Sequence, residues 1–369
     1  MATSVDAGRE QEVLDRLRTV QEPDLGKDFV TLGMIRDVVI DGGRVSFTLV
    51  LTTPAHPARE EYRDACRAAV AELPWVEDVR VDLAAETVSA MGLERRELVP
   101  NVKNVIAVAS GKGGVGKSTT SVNLALALAE SGAKVGLLDA DLYGPNIPLM
   151  MGLKEKPQVH GSDEGIEPIR RYGIKLISIG FFIDEQNPVI WRGPIAHGAI
   201  QQFLKDVNWG ELDYLVVDLP PGTGDIPLSL AQLVPMSGVV VVTTPQDVAL
   251  QDVAKGIGMF RKLEVPIVGV IENMSYFVCP GCSSQHQIFG VGGGERIARH
   301  FGLPFLGRLP LQPAIREGGD QGRPFVLAYP RSPEAEAYRE LAGEVARQVA
   351  LLAYQKGPGE GFVPLEGLM

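Results

Sequence analysis

Gly111-Lys112-Gly113-Gly114-Val115-Gly116-Lys117-Ser118 is the stretch of this sequence whose residue types and spacing carry the most chemistry. It satisfies G-x-x-x-x-G-K-[ST] in full, follows a strand-like run (Val105–Ala109) and opens a helix-like one (Ser118–Glu130). Glycines so spaced let backbone N–H groups turn inward around phosphate oxygens, and the helix N-terminus adds its positive dipole end. Gly111, Lys112, Gly113, Gly114, Val115, Gly116, Lys117, Ser118 and Thr119 are therefore expected to cradle ATP. Lys117 would reach the β- and γ-phosphates, and the Ser118 hydroxyl would bind Mg²⁺. Three carboxylates end neighbouring runs: Asp139 and Asp141 follow Val135–Leu138, and Asp218 follows Leu215–Val217. Ligands of open α/β sheets bind beyond the carboxyl ends of strands. Asp218 is thus expected to hold Mg²⁺, directly or through water, Asp139 to lie near the metal, and Asp141 to orient the attacking water. The plain alternative for each is a cap on a helix or turn.

A second constellation is Cys279-Pro280-Gly281-Cys282, which follows the run Ile267–Ile271. A C-x-x-C pair can ligate an iron–sulfur cluster or zinc, or act as a dithiol. Thioredoxin-type pairs open a helix, whereas Ser283-Ser284-Gln285-His286-Gln287 reads as a loop. Zinc takes four ligands, and one chain offers Cys279, Cys282 and His286 with no evident fourth. Two cysteines from each chain of a symmetric dimer would supply the four thiolates of a [4Fe–4S] cluster.

The elements that must position these residues follow from periodicity. From Asn104, β-branched runs alternate with helical stretches: Val105–Ala109, Val135–Leu138, Leu176–Ile179, Leu215–Val217, Val239–Thr243 and Ile267–Ile271. Such runs read as strands buried on both faces, so the expected fold is α/β, a doubly wound, mostly parallel sheet. The first 90 residues read as a small α/β unit. It has a helix over Gln11–Val20, a hairpin of Val38–Ile40 and Val45–Leu51 around Asp41-Gly42-Gly43, a helix near Pro57–Glu72 and a strand near Val76–Leu83. Ala84–Val102 reads as a linker. The expected division is 1–90, a joining segment 91–102, 103–356, and a Gly/Pro-rich tail 357–369.

Composition narrows the function classes. A chain of 369 residues suggests two domains. The net charge of −11 argues against a nucleic-acid or anionic-membrane surface. Met1–Gln11 lacks the pattern of a secretory signal, and Leu228–Val242 is broken by Pro235, Ser237 and Gly238, too short to span a membrane. A cytoplasmic location is expected. Three cysteines cannot build a disulfide framework, and Cys66, on a helix face, reads as a small buried hydrophobe.

The G-K-G-G-x-G-K-[ST] form resembles the phosphate loop of the MinD/ParA and nitrogenase iron-protein group. That resemblance implies a homodimer in which Lys112 reaches the nucleotide of the facing subunit. Ser110–Thr120, Asp139-Ala140-Asp141-Leu142-Tyr143-Gly144-Pro145-Asn146, Trp191-Arg192-Gly193-Pro194, Asp218-Leu219-Pro220-Pro221-Gly222-Thr223-Gly224-Asp225 and Asn273–Cys282 together resemble the Mrp (ApbC-like) family of iron–sulfur cluster carrier ATPases. The resemblance covers about Asn101–Pro310. It implies slow ATP hydrolysis, a cluster bridged between chains by Cys279 and Cys282, delivery to apo iron–sulfur proteins, and contact of Asn273 with adenine. Glu22-Pro23-Asp24, Val30-Thr31-Leu32-Gly33-Met34-Ile35 and Leu51-Thr52-Thr53-Pro54 resemble the small iron–sulfur assembly domain that many such proteins carry first. That domain often has Cys where this chain has His56, and a lone His is ordinarily structural, so no cluster role is assigned to it here. Two other classes share the phosphate loop. A MinD/ParA-type positioning ATPase calls for a basic membrane helix or DNA surface, which the acidic tail after Pro333–Tyr354 does not offer. An electron-transfer ATPase would share the bridging cluster.

Overall fold

The computed structural model describes residues 4–91, 98–154, 161–162, 165–182 and 193–355. Trp191, Arg192 and the 357–369 tail lie outside the described residues. In the first unit, α1 (Ser4–Leu17), β1 (Gln21–Glu22) and β2 (Lys27–Asp28) precede β3 (Ile35–Asp41), β4 (Arg44–Leu51), α2 (Arg59–Ala71) and β5 (Asp78–Ala85). β3 and β4 form the expected hairpin, closing at Asp41 and Arg44. The crossover through α2 then delivers β5 parallel to β4. Alternation along β4 sends Val45, Phe47, Leu49 and Leu51 to one face, where they meet Val13 and Leu17 of α1 and Tyr62, Cys66 and Val70 of α2. Cys66 is the buried hydrophobe expected of it, and burial pushes its thiol up to about 12.

From Val102 strand and helix alternate. The elements are β6 (Val102–Ser110), α3 (Lys117–Glu130), β7 (Val135–Asp139), α4 (Ile147–Met150), the short β8 (Gly161–Ser162), β9 (Gly165–Ile166) and β10 (Ile169–Arg171), then β11 (Ile174–Ser178). Next come α5 (Gly193–Lys205), β12 (Leu212–Asp218), α6 (Asp225–Leu233), β13 (Gly238–Thr243), α7 (Asp247–Lys262), β14 (Ile267–Val278) and β15 (Gln285–His286). The chain closes with α8 (Gly293–Phe301), β16 (Phe305–Pro310), α9 (Pro313–Asp320), α10 (Phe325–Ala328) and α11 (Pro333–Gln355). The sheet runs β11-β7-β12-β6-β13-β14-β16, all parallel, with antiparallel β10 and β15 at its fringes. Helices cover both faces. Leu124 and Leu128 of α3 pack with Tyr338 and Val345 of α11 on one side. Ile200 and Phe203 of α5 pack with Leu230 of α6 on the other. This is the doubly wound sheet read from the sequence.

Three departures have physical causes. β14 runs to Val278 rather than stopping at Ile271, because Glu272 and Tyr276 stay paired with Arg308 and Pro310 of β16, a strand the sequence reading did not assign. Ile179, expected as a strand end, starts a 3₁₀ turn in which the Gly180 N–H donates to Ser178 Oγ (3.0 Å). The start of the expected linker is packed rather than free. Glu86 and Val88 N–H groups donate to Leu51 and Thr52 carbonyls, Asn104 pairs with the backbone of Val88 and Ala90, and Ala90 and Met91 enter the sheet's cores. Tyr214 Oη on β12 donates to Thr53 Oγ1 (2.9 Å), tying the first unit to the sheet.

Candidate functional site

The phosphate loop joins β6 to α3 at the centre of the sheet, between β12 and β13. Gly116 precedes the helix at φ +84°, and a Cβ there would stand 2.2 Å from Asn273 Nδ2, so both backbone and space demand glycine. Gly111 is fixed by a different wall: a Cβ there would meet the α7 backbone at Asp252 and Val253 (2.5 Å). Lys117, Ser118 and Thr119 form the first turn of α3, one residue earlier than expected, leaving N–H groups directed at the loop's concavity. Asn273 sits on β14 with Nδ2 donating to the Val115 carbonyl (2.8 Å), which places it against the loop. Lys112 is half-buried in the same loop, and among the described residues nothing pairs its ammonium.

The carboxylates converge on Lys117. Its Nζ, in a side chain 6 % exposed, lies 2.8 Å from Asp218 Oδ2 and 3.4 Å from Asp141 Oδ2. Burial by itself would lower the lysine's pKa, but Asp218 and Asp141 outweigh it and hold the ammonium firmly charged. Asp218 also accepts from Ser118 Oγ and Ser121 Oγ, each at 2.6 Å. Asp139 is fully buried and accepts from Ser178 Oγ (2.8 Å) and the Asp141 N–H (3.2 Å). Burial, then the nearby Asp218 charge, raises its carboxyl to about 8. Asp141 divides its work: Oδ1 caps the turn through Tyr143 and Gly144 N–H, while Oδ2 faces Lys117. Burial raises its pKa and Lys117 opposes the rise. Ser118 Oγ and Asp218 Oδ2, 2.6 Å apart, are the oxygen pair beside the loop that suits Mg²⁺, with Asp141 across Lys117 and Asp139 buried.

Cys279 and Cys282 occupy the tip of a hairpin, not a helix start. β14 and β15 pair at Phe277–His286 and Val278–Gln285, and the Cys279 N–H donates to the Ser284 carbonyl (3.0 Å) across the turn. Cys282 is exposed and Cys279 half-buried. Hydrogen bonds from Ser284 and from Cys279 lower the Cys282 thiol. One chain therefore presents two adjacent thiols with an open side, half of a four-thiolate set. Lys117, Ser118, Asp139, Asp141, Asp218 and Asn273 are brought together, while Cys279 and Cys282 stand apart, at the outer end of the strand that carries Asn273.

A family model described as NUBPL iron-transfer P-loop NTPase matches residues 101–346, and one described as iron-sulfur cluster assembly protein matches residues 10–83. The chain belongs to the NUBPL iron-transfer P-loop NTPase family. The resemblance to the Mrp-type carriers holds with it. The iron-sulfur cluster carrier protein of Synechocystis sp. is 53% identical over 345 residues, covering 92% of this chain and 98% of that one. Among solved structures, a nucleotide-binding protein from Archaeoglobus fulgidus in complex with ADP, with Co found, is similar at 42% identity and TM-score 0.55, covering 63% of this chain and 90% of that one. The septum site-determining protein MinD from Pyrococcus horikoshii, complexed with Mg-ADP, is similar at 26% identity and TM-score 0.51, covering 68% and 99%. Membership makes this chain a nucleotide-binding P-loop NTPase. Among the described residues no helix is long and apolar enough to cross a membrane.

The sequence reading missed three positions in this family member's site. Ser121 lies one helical turn beyond Ser118 and binds the other oxygen of Asp218; the Ser-x-x-Ser spacing was its available signal. Ser178 holds Asp139 from β11. Glu272, buried beside Asn273, accepts from Gly292 N–H (2.9 Å), Gly294 N–H (2.6 Å) and Ser275 Oγ, fixing the segment that returns from the cysteine hairpin. Neither Ser178 nor Glu272 has a local sequence signal.

Proposed function

We propose that this protein carries iron–sulfur clusters and hands them to apoproteins, with ATP binding and hydrolysis gating the cycle. The observation that supports this best is the course of β14: Asn273 touches the phosphate loop, and the same strand ends at Val278, immediately before Cys279 at the exposed hairpin tip. Nucleotide and cargo then lie along one stretch of chain, which is irregular between Glu272 and Tyr276, with Met274 at φ +55°. The geometry supports the following proposed roles, the adenine contact resting on the family resemblance. Lys117 neutralises β- and γ-phosphate oxygens, Asp218 and Ser118 hold Mg²⁺ with Asp139 behind them, Asp141 orients the attacking water, and Asn273 meets the adenine. Mg²⁺, when bound, spreads charge off the transferring phosphoryl group. Hydrolysis is slow in this reading, because the site is completed only when Lys112 of a second copy reaches in.

The working form is a cytoplasmic homodimer with one cluster between the Cys279/Cys282 pairs, [4Fe–4S] by thiolate count. Residues 1–90 and 103–356 act as two units joined through 91–102. The test is transfer to an apo-ferredoxin acceptor. Reconstituted protein should restore the acceptor's absorbance faster with Mg·ATP than without nucleotide, and Lys117→Ala should lose the nucleotide effect. Transfer indifferent to nucleotide in the unsubstituted protein would overturn the gating.

A further inference from the structure

The motif residues of the first unit that the proposed function leaves idle are gathered into one buried cluster. Glu22, at the end of β1, Asp24, in the turn after it, and His56, beyond the end of β4, offer ligand atoms that all lie within 4.8 Å of one another. Glu22 is 3 % exposed, His56 6 %, and the Asp24 side chain 22 %. They border a cavity of about 10 Å³, room for one water or one ion, which Ala350, Leu351 and Tyr354 of α11 close from the other side.

The surroundings are built to hold these side chains still. Tyr62 Oη donates to Glu22 Oε1 (2.8 Å), and the Leu25 N–H donates to Oε2. Arg347 pairs with Asp24 and is itself clamped by both oxygens of Glu344. Each carboxylate keeps lone pairs for a further partner, as ligating carboxylates with outer hydrogen bonds do. Charge points to what that partner is. Among the described residues, Glu22, Asp24 and Glu344 gather around one guanidinium, that of Arg347, an excess of two negative charges in a part-buried interface. His56 does not supply the missing cation: its Nδ1 accepts from the Ala58 N–H (3.3 Å), as a neutral ring does.

We propose that Glu22, Asp24 and His56 bind one divalent first-row transition ion, of the Fe²⁺ or Zn²⁺ class, beneath α11. Two carboxylate oxygens alone would suit Mg²⁺ or Ca²⁺; the imidazole shifts the preference toward transition ions. This site is distinct from the cysteine hairpin and independent of any cluster there.

The test uses the full chain carrying Cys279→Ser and Cys282→Ser, so that no thiolate pair competes, with Mg·ADP saturating the phosphate loop. Co²⁺ is titrated in, read by calorimetry and by its d–d absorption. One Co²⁺ should bind per chain with the spectrum of nitrogen and oxygen ligands. Glu22→Gln and His56→Gln should each weaken it about 10-fold or more. No binding to the parent, or affinity within about 2-fold of the parent in both variants, overturns the site. A measurement on the parent covers the case of a misfolded variant: bound Co²⁺ should broaden the His56 ring protons while those of His286 and His300 stay sharp. A sharp His56 signal with Co²⁺ bound also overturns it.

Discussion

Replacing Lys117 by Met keeps the aliphatic stem and removes only the ammonium. The ammonium is the cation in contact with Asp218 (2.8 Å) and Asp141 (3.4 Å), with Asp139 buried just behind. Breaking a buried pair by removing one partner costs about 3–5 kcal/mol, since the remaining charges stay desolvated. Ser118 and Ser121 still donate to Asp218 at 2.6 Å, which places the expectation at the lower end of that range. In a unit of this size that lowers Tm by roughly 6–12 °C, at about 2–4 °C per kcal/mol. Adding Asp218→Asn removes one stranded charge and should recover about 1–3 kcal/mol, the coupling expected of residues in contact. Neither variant should hydrolyse ATP at more than about 1 % of the parent rate, because the phosphates lose their cation. Urea unfolding of nucleotide-free protein, followed through buried Trp209 beside β12, reads the stability. A Lys117→Met loss below about 1 kcal/mol would match an exposed ion pair and refute the reasoning.

The remaining expectations concern other parts of the site. A subunit lacking Asp141 but retaining Lys112 should rescue a Lys112→Ala subunit in mixed dimers; activity never exceeding that of the separate parents, with exchange verified, would exclude a role in trans. Iodoacetamide near neutral pH should label Cys282 and leave Cys66 untouched until the protein unfolds, because hydrogen bonds lower the first thiol and burial holds the second at about 12. Equal labelling rates would contradict both. Glu272→Gln weakens the anchor of the hairpin's return segment while leaving the phosphate loop intact. It should keep nucleotide affinity within about 3-fold yet alter the labelling rate of Cys282, and an unchanged rate would detach Glu272 from the hairpin.

What the sequence made legible was local. The phosphate loop, its strand and its helix are contiguous, and both-face burial writes β13 as an unbroken apolar run. The cysteine pair was visible as a pair, but its place at a hairpin tip depends on β15, two residues long, which carries no periodic signal. β16 went unassigned because Phe305–Pro310 contains glycine and arginine and ends in proline, and only its partner β14 makes it a strand. Ser178, Glu272 and the Glu22–Asp24–His56 cluster depend on contacts between distant segments, which no spacing rule reports. His56 read as ordinary for that reason: alone in sequence, it is flanked in space by two carboxylates.

The central claim, a cluster held by two cysteines from each of two chains, is tested most directly by counting. After anaerobic reconstitution, iron and acid-labile sulfide are measured on protein sized by gel filtration, for the parent, Cys66→Ser, and the Cys279→Ser/Cys282→Ser double variant. A [4Fe–4S] cluster shared by a dimer gives about two irons and two sulfides per chain in the first two, eluting as dimers, and none in the third. Full loading in the double variant, or a stable cluster on a strict monomer, would contradict it.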